Sequence, residues 1–518
     1  MDRLRSLREQ HAREVALAAV CAVLFLTFLD NTIVSVALAN IQESLSVSVA
    51  GLQWIVDGYM LAFAALMLTG GTLGDLLGRK RVMLAGVAVF CAGSVMAAVA
   101  PGSELLIAGR IVMGVGAAAS EPGTLSLIRH IYPEREERAV ALGVWAAVSG
   151  LALSLGPVIG GVLVAWQGWR SIFWFGLAFG ALALAVAAVT LTENSDPAGR
   201  RLDIPGLATG ASAILAATFA VIEGENGGYG RWWIDVLFAA AAVLTVVFVL
   251  VEQRAPDPVL KIQFLRNPTF TAANVVAFAT NLSVFSVFFF TALYLQLISN
   301  FSGFQIALVF TALAAAMIVS GPLAGEWTAR VGPRVPMALG CALAGLGLLL
   351  VDWKLTANTT VPALVWPLAI AGLGFGIALV TMTAAVLTLV PPEQSGMAAS
   401  TVNTSRELGG VFGVAVLGSV VNAQLTSGLT ARLVKLGIPA SYREIVINFV
   451  TTGGNLTSAE NNPAAKGHEK LVAKILGAAE TYAGRGVHLA LEIAGGIVLA
   501  AALVALLVAR RTRTGSLA

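Results

Sequence analysis

Apolar runs of eighteen or more residues recur along nearly the whole chain, each long enough to cross the roughly 30 Å hydrocarbon core of a bilayer as a helix. Fourteen such spans are predicted, near 15–40, 51–73, 82–100, 104–128, 139–164, 169–191, 206–223, 232–252, 269–298, 304–327, 335–353, 362–390, 397–423 and 486–509. Lipid offers no partner to free backbone groups, so each span must be helical. The polar stretches between them differ sharply in basic charge. Alternate loops, counted with both termini, hold twenty Lys and Arg, whereas the short loops of the other side hold only Arg170, Arg231 and Lys354. The positive-inside rule then predicts that both termini are cytoplasmic in a cell membrane. Residues 1–14 form a charged tail with no small-residue cleavage site after the first apolar run, so no signal peptide is expected. The long polar segment 424–485 carries apolar residues at helical spacing in Leu425–Leu436 and Leu471–Ala479, broken at Gly453-Gly454-Asn455 and Asn461-Asn462-Pro463. It reads either as an external cap of short amphipathic helices or as a disordered loop.

Composition sharpens this picture. A chain of 518 residues that is 57% hydrophobic and 12% charged is not an ordinary soluble enzyme. Cys21, Cys91 and Cys341 sit inside apolar runs, which does not indicate a disulfide framework. His11, His130, His468 and His488 are scattered, so no metal site is expected. No phosphate-binding Gly-x-x-x-x-Gly-Lys-Ser/Thr loop is present, which argues against ATP as the energy source. Cofactors and nucleic acid partners are not expected, and the chain reads as a monomer in lipid.

A weak repeat organises the spans. Gly71-Thr72-Leu73-Gly74-Asp75-Leu76-Leu77-Gly78-Arg79-Lys80 closes span 2, and Gly325-Glu326-Trp327-Thr328-Ala329-Arg330-Val331-Gly332-Pro333-Arg334 closes span 10. Gly71 aligns with Gly325, Asp75 with Ala329 and Gly78 with Gly332. Equivalent turns eight spans apart predict an all-α membrane protein of two six-helix halves, 15–191 and 269–518, with two extra helices and their linkers in 192–268. Proteins built from related halves place their site near the midplane between them.

Charged residues inside the spans mark the candidate chemistry. Asp30 is the only charged residue between Val15 and Ile41, and a carboxylate at that depth costs about 3 kcal/mol on insertion scales. Either it forms a structural pair between helices or it handles a proton or cation. Asp57, in Trp54-Ile55-Val56-Asp57-Gly58-Tyr59, and Arg110 fall at about the same depth as Asp30. A proton or cation arriving among them changes the pairing; a permanent salt bridge is the competing reading. Glu407 lies close to the midplane of span 13 beside Arg406, pointing about 100° away from it, and either lines a cavity or joins Arg406 in an interhelical clamp. Glu121, in Ala118-Ala119-Ser120-Glu121-Pro122-Gly123, either serves cationic ligands or accepts bonds from a neighbouring helix. Asn403, Trp54, Tyr59, Trp145, Phe285, Phe289, Tyr294, Gln296 and Asn281 are candidate walls, the aromatic ones suited to cation–π contact. Trp169, Trp174, Trp232 and Trp233 read as interface anchors.

Three motifs carry a family resemblance. The Gly71–Lys80 turn resembles the cytoplasmic loop signature of the major facilitator superfamily, in which Gly71 allows close helix approach, Gly78 a tight turn, and Asp75 with Arg79 a latch that breaks when the halves tilt. Arg110-Ile111-Val112-Met113-Gly114-Val115-Gly116 is similar to the family's Arg-x-x-x-Gly-x-Gly motif. Gly150 to Gly161, with Gly156, Pro157, Gly160 and Gly161, looks like the antiporter motif of its drug exporters. Its glycines are expected to pack on a second-half helix, and Pro157 to bend it; generic small-residue packing is the alternative.

With fourteen spans, these features resemble the fourteen-helix drug:proton antiporter group, nearest the branch exporting quaternary ammonium compounds. The resemblance covers the chain from about Ala18 to Arg511. It implies that Asp30 and Asp57 match that branch's acids, that Glu407 falls in its cation-binding region, and that Val402 and Asn403 stand where some relatives carry further acids. The expectation is therefore proton-coupled efflux of lipophilic, cationic compounds, with protons as the coupling ion. A dedicated exporter of one endogenous metabolite or lipid, a proton-driven importer, and a non-transporting sensor or scaffold are the rivals.

Overall fold

Where two of the spans begin, the chain supplies its own caps. Asp203 accepts the Gly206 N–H at 2.9 Å, and Asn267 accepts those of Thr269 at 3.0 Å and Phe270 at 3.4 Å. Each is followed by a proline in the first helical turn, where the missing N–H is not needed. The computed structural model describes residues 2–45, 47, 49–193, 203–299, 301, 303–391, 394–439, 443 and 469–509, and among these the regular structure is helical throughout. In order, the helices are α1 (Asp2–Ile33), α2 (Leu38–Leu45), α3 (Val49–Leu77), α4 (Arg79–Ala98), α5 (Ser103–Ile131), α6 (Arg135–Gln167), α7 (Arg170–Thr190), α8 (Ile204–Gly227) and α9 (Trp232–Arg254). Then come α10 (Pro268–Leu297), α11 (Gly303–Val331), α12 (Arg334–Lys354), α13 (Val361–Thr388), α14 (Ser395–Lys435) and α15 (Glu469–Val508).

Each expected span after the first lies within a helix to within a few residues at its ends. Among the described residues thirteen helices are long and apolar enough to cross a membrane, and α6 makes a fourteenth as a bent pair, Glu136–Leu153 and Val158–Gln167, at 42°. The bend falls between Leu153 and Val158.

Packing separates two six-helix halves. Helices α1 and α3–α7 pack among themselves, as do α10–α15, and the halves meet along α6–α11, α3–α14, α5–α14 and α6–α13. The extra pair α8–α9 forms its own hairpin, leaning on α3 of one half and α14 of the other. The repeat is visible in the backbone as well: Gly78 and Gly332 take φ of 108° and 82°, a left-handed turn that a side chain would strain.

Two sequence expectations need correction. The first span does not run straight through: between α1 and α2 it tightens into a 3-10 turn at Val34–Ala37. Gly160 of α6 comes so close there that an added Cβ would sit 2.8 Å from the Ile33 carbonyl and 2.8 Å from Val36 Cγ2. The segment after span 13 does not begin with a separate short helix either. α14 continues unbroken to Lys435 and α15 starts at Glu469; their extensions bury Leu429, Leu433, Ala478 and Ala479 in a small core apart from the main one. Two long helices thus share the apolar spacing that reads as a cap, while Gly453-Gly454-Asn455 and Asn461-Asn462-Pro463 lie outside the described residues.

Candidate functional site

The inner charges fall into two linked groups. In the first, Arg110 of α5 donates through Nη1 to Asp30 Oδ2 of α1 and through Nε to the Ile55 carbonyl of α3 at 2.9 Å. Its guanidinium lies 4.5 Å from the centre of the Tyr59 ring, and the Tyr59 hydroxyl donates to the Thr27 carbonyl at 3.1 Å. Three helices are thereby tied around one buried ion pair. Asp57, the third member expected at this depth, stands two residues before Tyr59 on α3 and is only half-buried.

The second group crosses between the halves. Arg406 of α14 places Nη1 3.8 Å from Glu121 Oε1 of α5 and 3.0 Å from Asn403 Oδ1. Its guanidinium sits 5.2 Å from the ring centres of both Phe28 and Trp145. Trp145 Nε1 donates to Thr124 Oγ1 at 3.1 Å, and Thr124 in turn donates to the Glu121 carbonyl at 2.6 Å. Asn281 of α10 gives its amide to the Arg406 carbonyl at 2.9 Å. Glu407 lies within electrostatic reach of Glu121 and Arg406, and Tyr59 within reach of Asp30, Arg110, Glu121 and Glu407 together. The two groups therefore form one charged field around Tyr59.

This field holds polar atoms without hydrogen-bond partners: both Glu121 carboxylate oxygens, Glu407 Oε1, Arg406 Nε and Asn403 Nδ2, and next to Asp30 both amide atoms of Asn31. Leaving such groups unpaired in a dry interior is costly, and two carboxylates around one guanidinium leave a surplus of negative charge. The site is also shut. Glu121 is 0% exposed, Arg110 and Arg406 1%, Glu407 5% and Asp30 6%, so among the described residues these charges are closed off from solvent in this conformation.

The face richest in Lys and Arg, called here the basic face, is held closed by the 71–80 turn. Asp75 accepts from Arg79 Nε at 3.0 Å and Nη2 at 2.8 Å. It also accepts from the backbone N–H groups of Gly396 at 3.1 Å and Met397 at 2.9 Å, at the positive end of α14. The latch thus grips the opposite half directly. Gly71 lets the helices meet, since a Cβ there would collide with Ser400 and come 2.7 Å from the Gly396 carbonyl. Arg129 adds a further bond across the halves, to the Val390 carbonyl at 2.9 Å.

The span 5 motif divides its work differently from the expectation. Contact with the second half comes from the first glycine of the motif, Gly150, whose Cβ would lie 2.9 Å from Met317 Sδ, and from Gly143 before it, whose Cβ would lie 2.5 Å from Pro322 Cα. Gly156 and Gly160 instead press on Thr32 and Ile33 of α1, within the same half, and nothing lies within 4 Å of a Cβ on Gly161. Thr32 seals that contact by donating to the Leu153 carbonyl at 3.1 Å.

The candidate walls scatter. Tyr59 and Trp145 belong to the field, and Phe285 packs against Gly410, whose Cβ would lie 3.1 Å from its ring. Trp54 turns instead to Phe219 of α8, at 5.7 Å between ring centres. Phe289 is 48% exposed, edge-on to Phe290, and Gln296 is exposed at the end of α10; neither joins the field. Tyr294 pairs with His488, 5.4 Å away. Among the supposed anchors Trp174 and Trp232 are exposed but Trp169 is buried, covered by Arg170 at 4.2 Å. Phe28, Thr27 and Thr124 were not marked by the sequence, being ordinary residues on apolar helices.

Comparison with known proteins agrees with this architecture. Residues 20–414 match the Major Facilitator Superfamily. The chain is 33% identical over 432 residues to "Multidrug resistance protein Stp" of Mycobacterium tuberculosis, covering 83% of this chain and 80% of that one. It is 34% identical over 409 residues to "Methylenomycin A resistance protein" of Streptomyces coelicolor (79% and 86%). It is 28% identical over 496 residues to "Tetracenomycin C resistance and export protein" of Streptomyces glaucescens (95% and 90%). Among solved structures, the human organic anion transporter MFSD10 (TETRAN) superposes with a TM-score of 0.60 at 14% identity, covering 96% of this chain and 99% of that one.

Proposed function

This chain belongs to the Major Facilitator Superfamily, and we propose that it exports lipophilic, cationic compounds across the cell membrane in exchange for protons, with both termini and the basic face in the cytoplasm. The observation that carries the proposal is the negative surplus between the halves: Glu121 and Glu407 share Arg406, and three of their carboxylate oxygens lack hydrogen-bond partners. A cation arriving from the cytoplasm supplies the missing partner, and the faces of Tyr59 and Trp145 accept its apolar body. The relatives named for drug resistance support efflux as the direction.

In the proposed cycle, drug enters while the 71–80 latch is open. The halves then rock along α6–α11, and Asp75 regains the N–H groups of Gly396 and Met397. Protons entering from outside neutralise Asp30, Asp57, Glu121 or Glu407, and the cargo leaves. Each inward proton contributes about 2.3 kcal/mol per 100 mV, so one or two suffice for a steep gradient. The test is ethidium efflux from cells expressing the wild type and Asp30→Asn, Asp57→Asn, Glu121→Gln and Glu407→Gln, with and without an uncoupler. Uncoupler-sensitive efflux that the variants lose supports the reading, whereas full proton-driven efflux in all four overturns it.

A second reading is a dedicated exporter of one natural product. Relatives named for single compounds, methylenomycin A, tetracenomycin C and actinorhodin, favour it. A panel of dyes and antibiotics separates the two, since a dedicated exporter moves only one chemical class.

A further inference from the structure

At the basic face, the start of α8 and the end of α9 enclose charges that the site between the halves does not use. Glu252 is 4% exposed. Its Oε2 accepts the Leu260 N–H at 3.0 Å, while its Oε1 has no partner. Asp203 spends Oδ1 on capping α8, and its Oδ2 is likewise unpartnered. A Cβ placed on Gly206 would collide with Asp203 Oδ2 and lie 2.5 Å from Glu252 Oε1, so the two spare oxygens converge on one small volume that only a glycine leaves open. Asp203 also lines a groove of about 580 Å³, together with Val247, Leu250, Val251, Arg254 and Asp257.

The level of this groove in the protein matters. Asp203 and Arg254 mark the ends of two spans, where a bilayer changes from acyl chain to headgroup. The apolar flank of α9 is open to lipid, with Val243 62%, Val246 59% and Leu250 45% exposed. The groove offers the carboxylates of Asp203 and Asp257, the guanidinium of Arg254 and an aliphatic wall, with Glu252 Oε1 next to Asp203 Oδ2 at Gly206.

We propose that this groove binds an aminophospholipid: its primary ammonium between Asp203 and the carboxylate of Glu252, its phosphate on Arg254, and one acyl chain along Val247, Leu250 and Val251. A primary ammonium donates N–H bonds to both free oxygens, which are strong when donor and acceptor are charged. A choline headgroup has no N–H to give, and a glycerol headgroup carries only neutral hydroxyls beyond its phosphate, so it brings no positive charge to the acids. The site is tied to the latch, because the residue after Leu260, Lys261, gives its N–H to Met397 Sδ at 3.5 Å.

The purified full chain, offered equal amounts of phosphatidylethanolamine, phosphatidylcholine and phosphatidylglycerol with identical acyl chains, tests this by native mass spectrometry. The wild type is expected to retain the ethanolamine lipid about tenfold over either competitor. Glu252→Gln and Asp203→Asn, which keep shape and the α8 cap, are expected to bring that ratio close to one. Equal retention of the three lipids by the wild type, or an unchanged preference in both variants, overturns the assignment. Soluble phosphoethanolamine is expected not to displace the lipid at equal concentration; if it does, the ligand is a free headgroup compound and the lipid assignment fails.

Discussion

Arg406 on α14 lies 3.8 Å from Glu121 on α5, so a cation of the second half is set against an anion of the first, 285 positions away in the chain. This contact spans the plane along which the halves must separate. Removing either member therefore has unequal effects. Arg406→Met leaves Glu121 and Glu407 uncompensated and is expected to cost about 3–5 kcal/mol, read as a lower melting temperature of the purified protein. Glu121→Gln relieves the surplus, keeps the shape and is expected to melt within about 1 kcal/mol of wild type, while drug efflux falls at least severalfold.

The latch makes a prediction about populations. Asp75→Asn loses charge-assisted bonds from Arg79, Gly396 and Met397, each worth about 1.5–3 kcal/mol when the acceptor is ionised. The conformation closed at the basic face is expected to give way to one open there. Spin labels at Leu77 and Val331, both exposed at that face, should show a longer distance by pulsed EPR in the variant than in the wild type.

Two glycines of α6 should respond in opposite ways. Gly143→Ala forces a methyl against Gly321 and Pro322, and overpacking of this kind costs about 1–3 kcal/mol; stability and efflux are expected to drop together. Gly161→Ala meets nothing within 4 Å and is expected to stay within about 0.5 kcal/mol of wild type with normal efflux. Thermal melts and efflux rates on the two variants check this.

Asp30→Asn keeps an oxygen for Arg110 but removes the charge that balances it. Arg110 retains the Ile55 carbonyl and the Tyr59 face, so the protein is expected to fold, less stable by about 3 kcal/mol. Proton-driven efflux is expected to vanish while downhill release of preloaded dye persists. Dye release with and without a proton gradient separates the two activities.

Periodicity alone places every span, because lipid makes apolar length and helix the same statement. The latch was legible for a related reason: Asp75 and Arg79 are four residues apart on one helical turn, and Gly78 marks its end. What distance along the chain hides is partnership. Nothing near Glu121 points to Arg406, and nothing near Asp203 points to Glu252; both meetings depend on how separate helices lean. Gly143 of α6 was missed for a subtler reason. Gly150 to Gly161 form a recognisable string, whereas Gly143 stands alone before it, yet Gly143 and Gly150 are the ones that face the other half.

The repeat is faithful in backbone and unfaithful in charge. Gly78 and Gly332 make the same left-handed bend, but Ala329 stands where the first half has Asp75. One inner rim therefore carries a bolt, and its counterpart, where Gly143 meets Gly321 and Pro322, carries a dry seam. In the proposed cycle such a gateway is expected to swing like a door hung on the seam and fastened on one side, parting first beside α3 and α14.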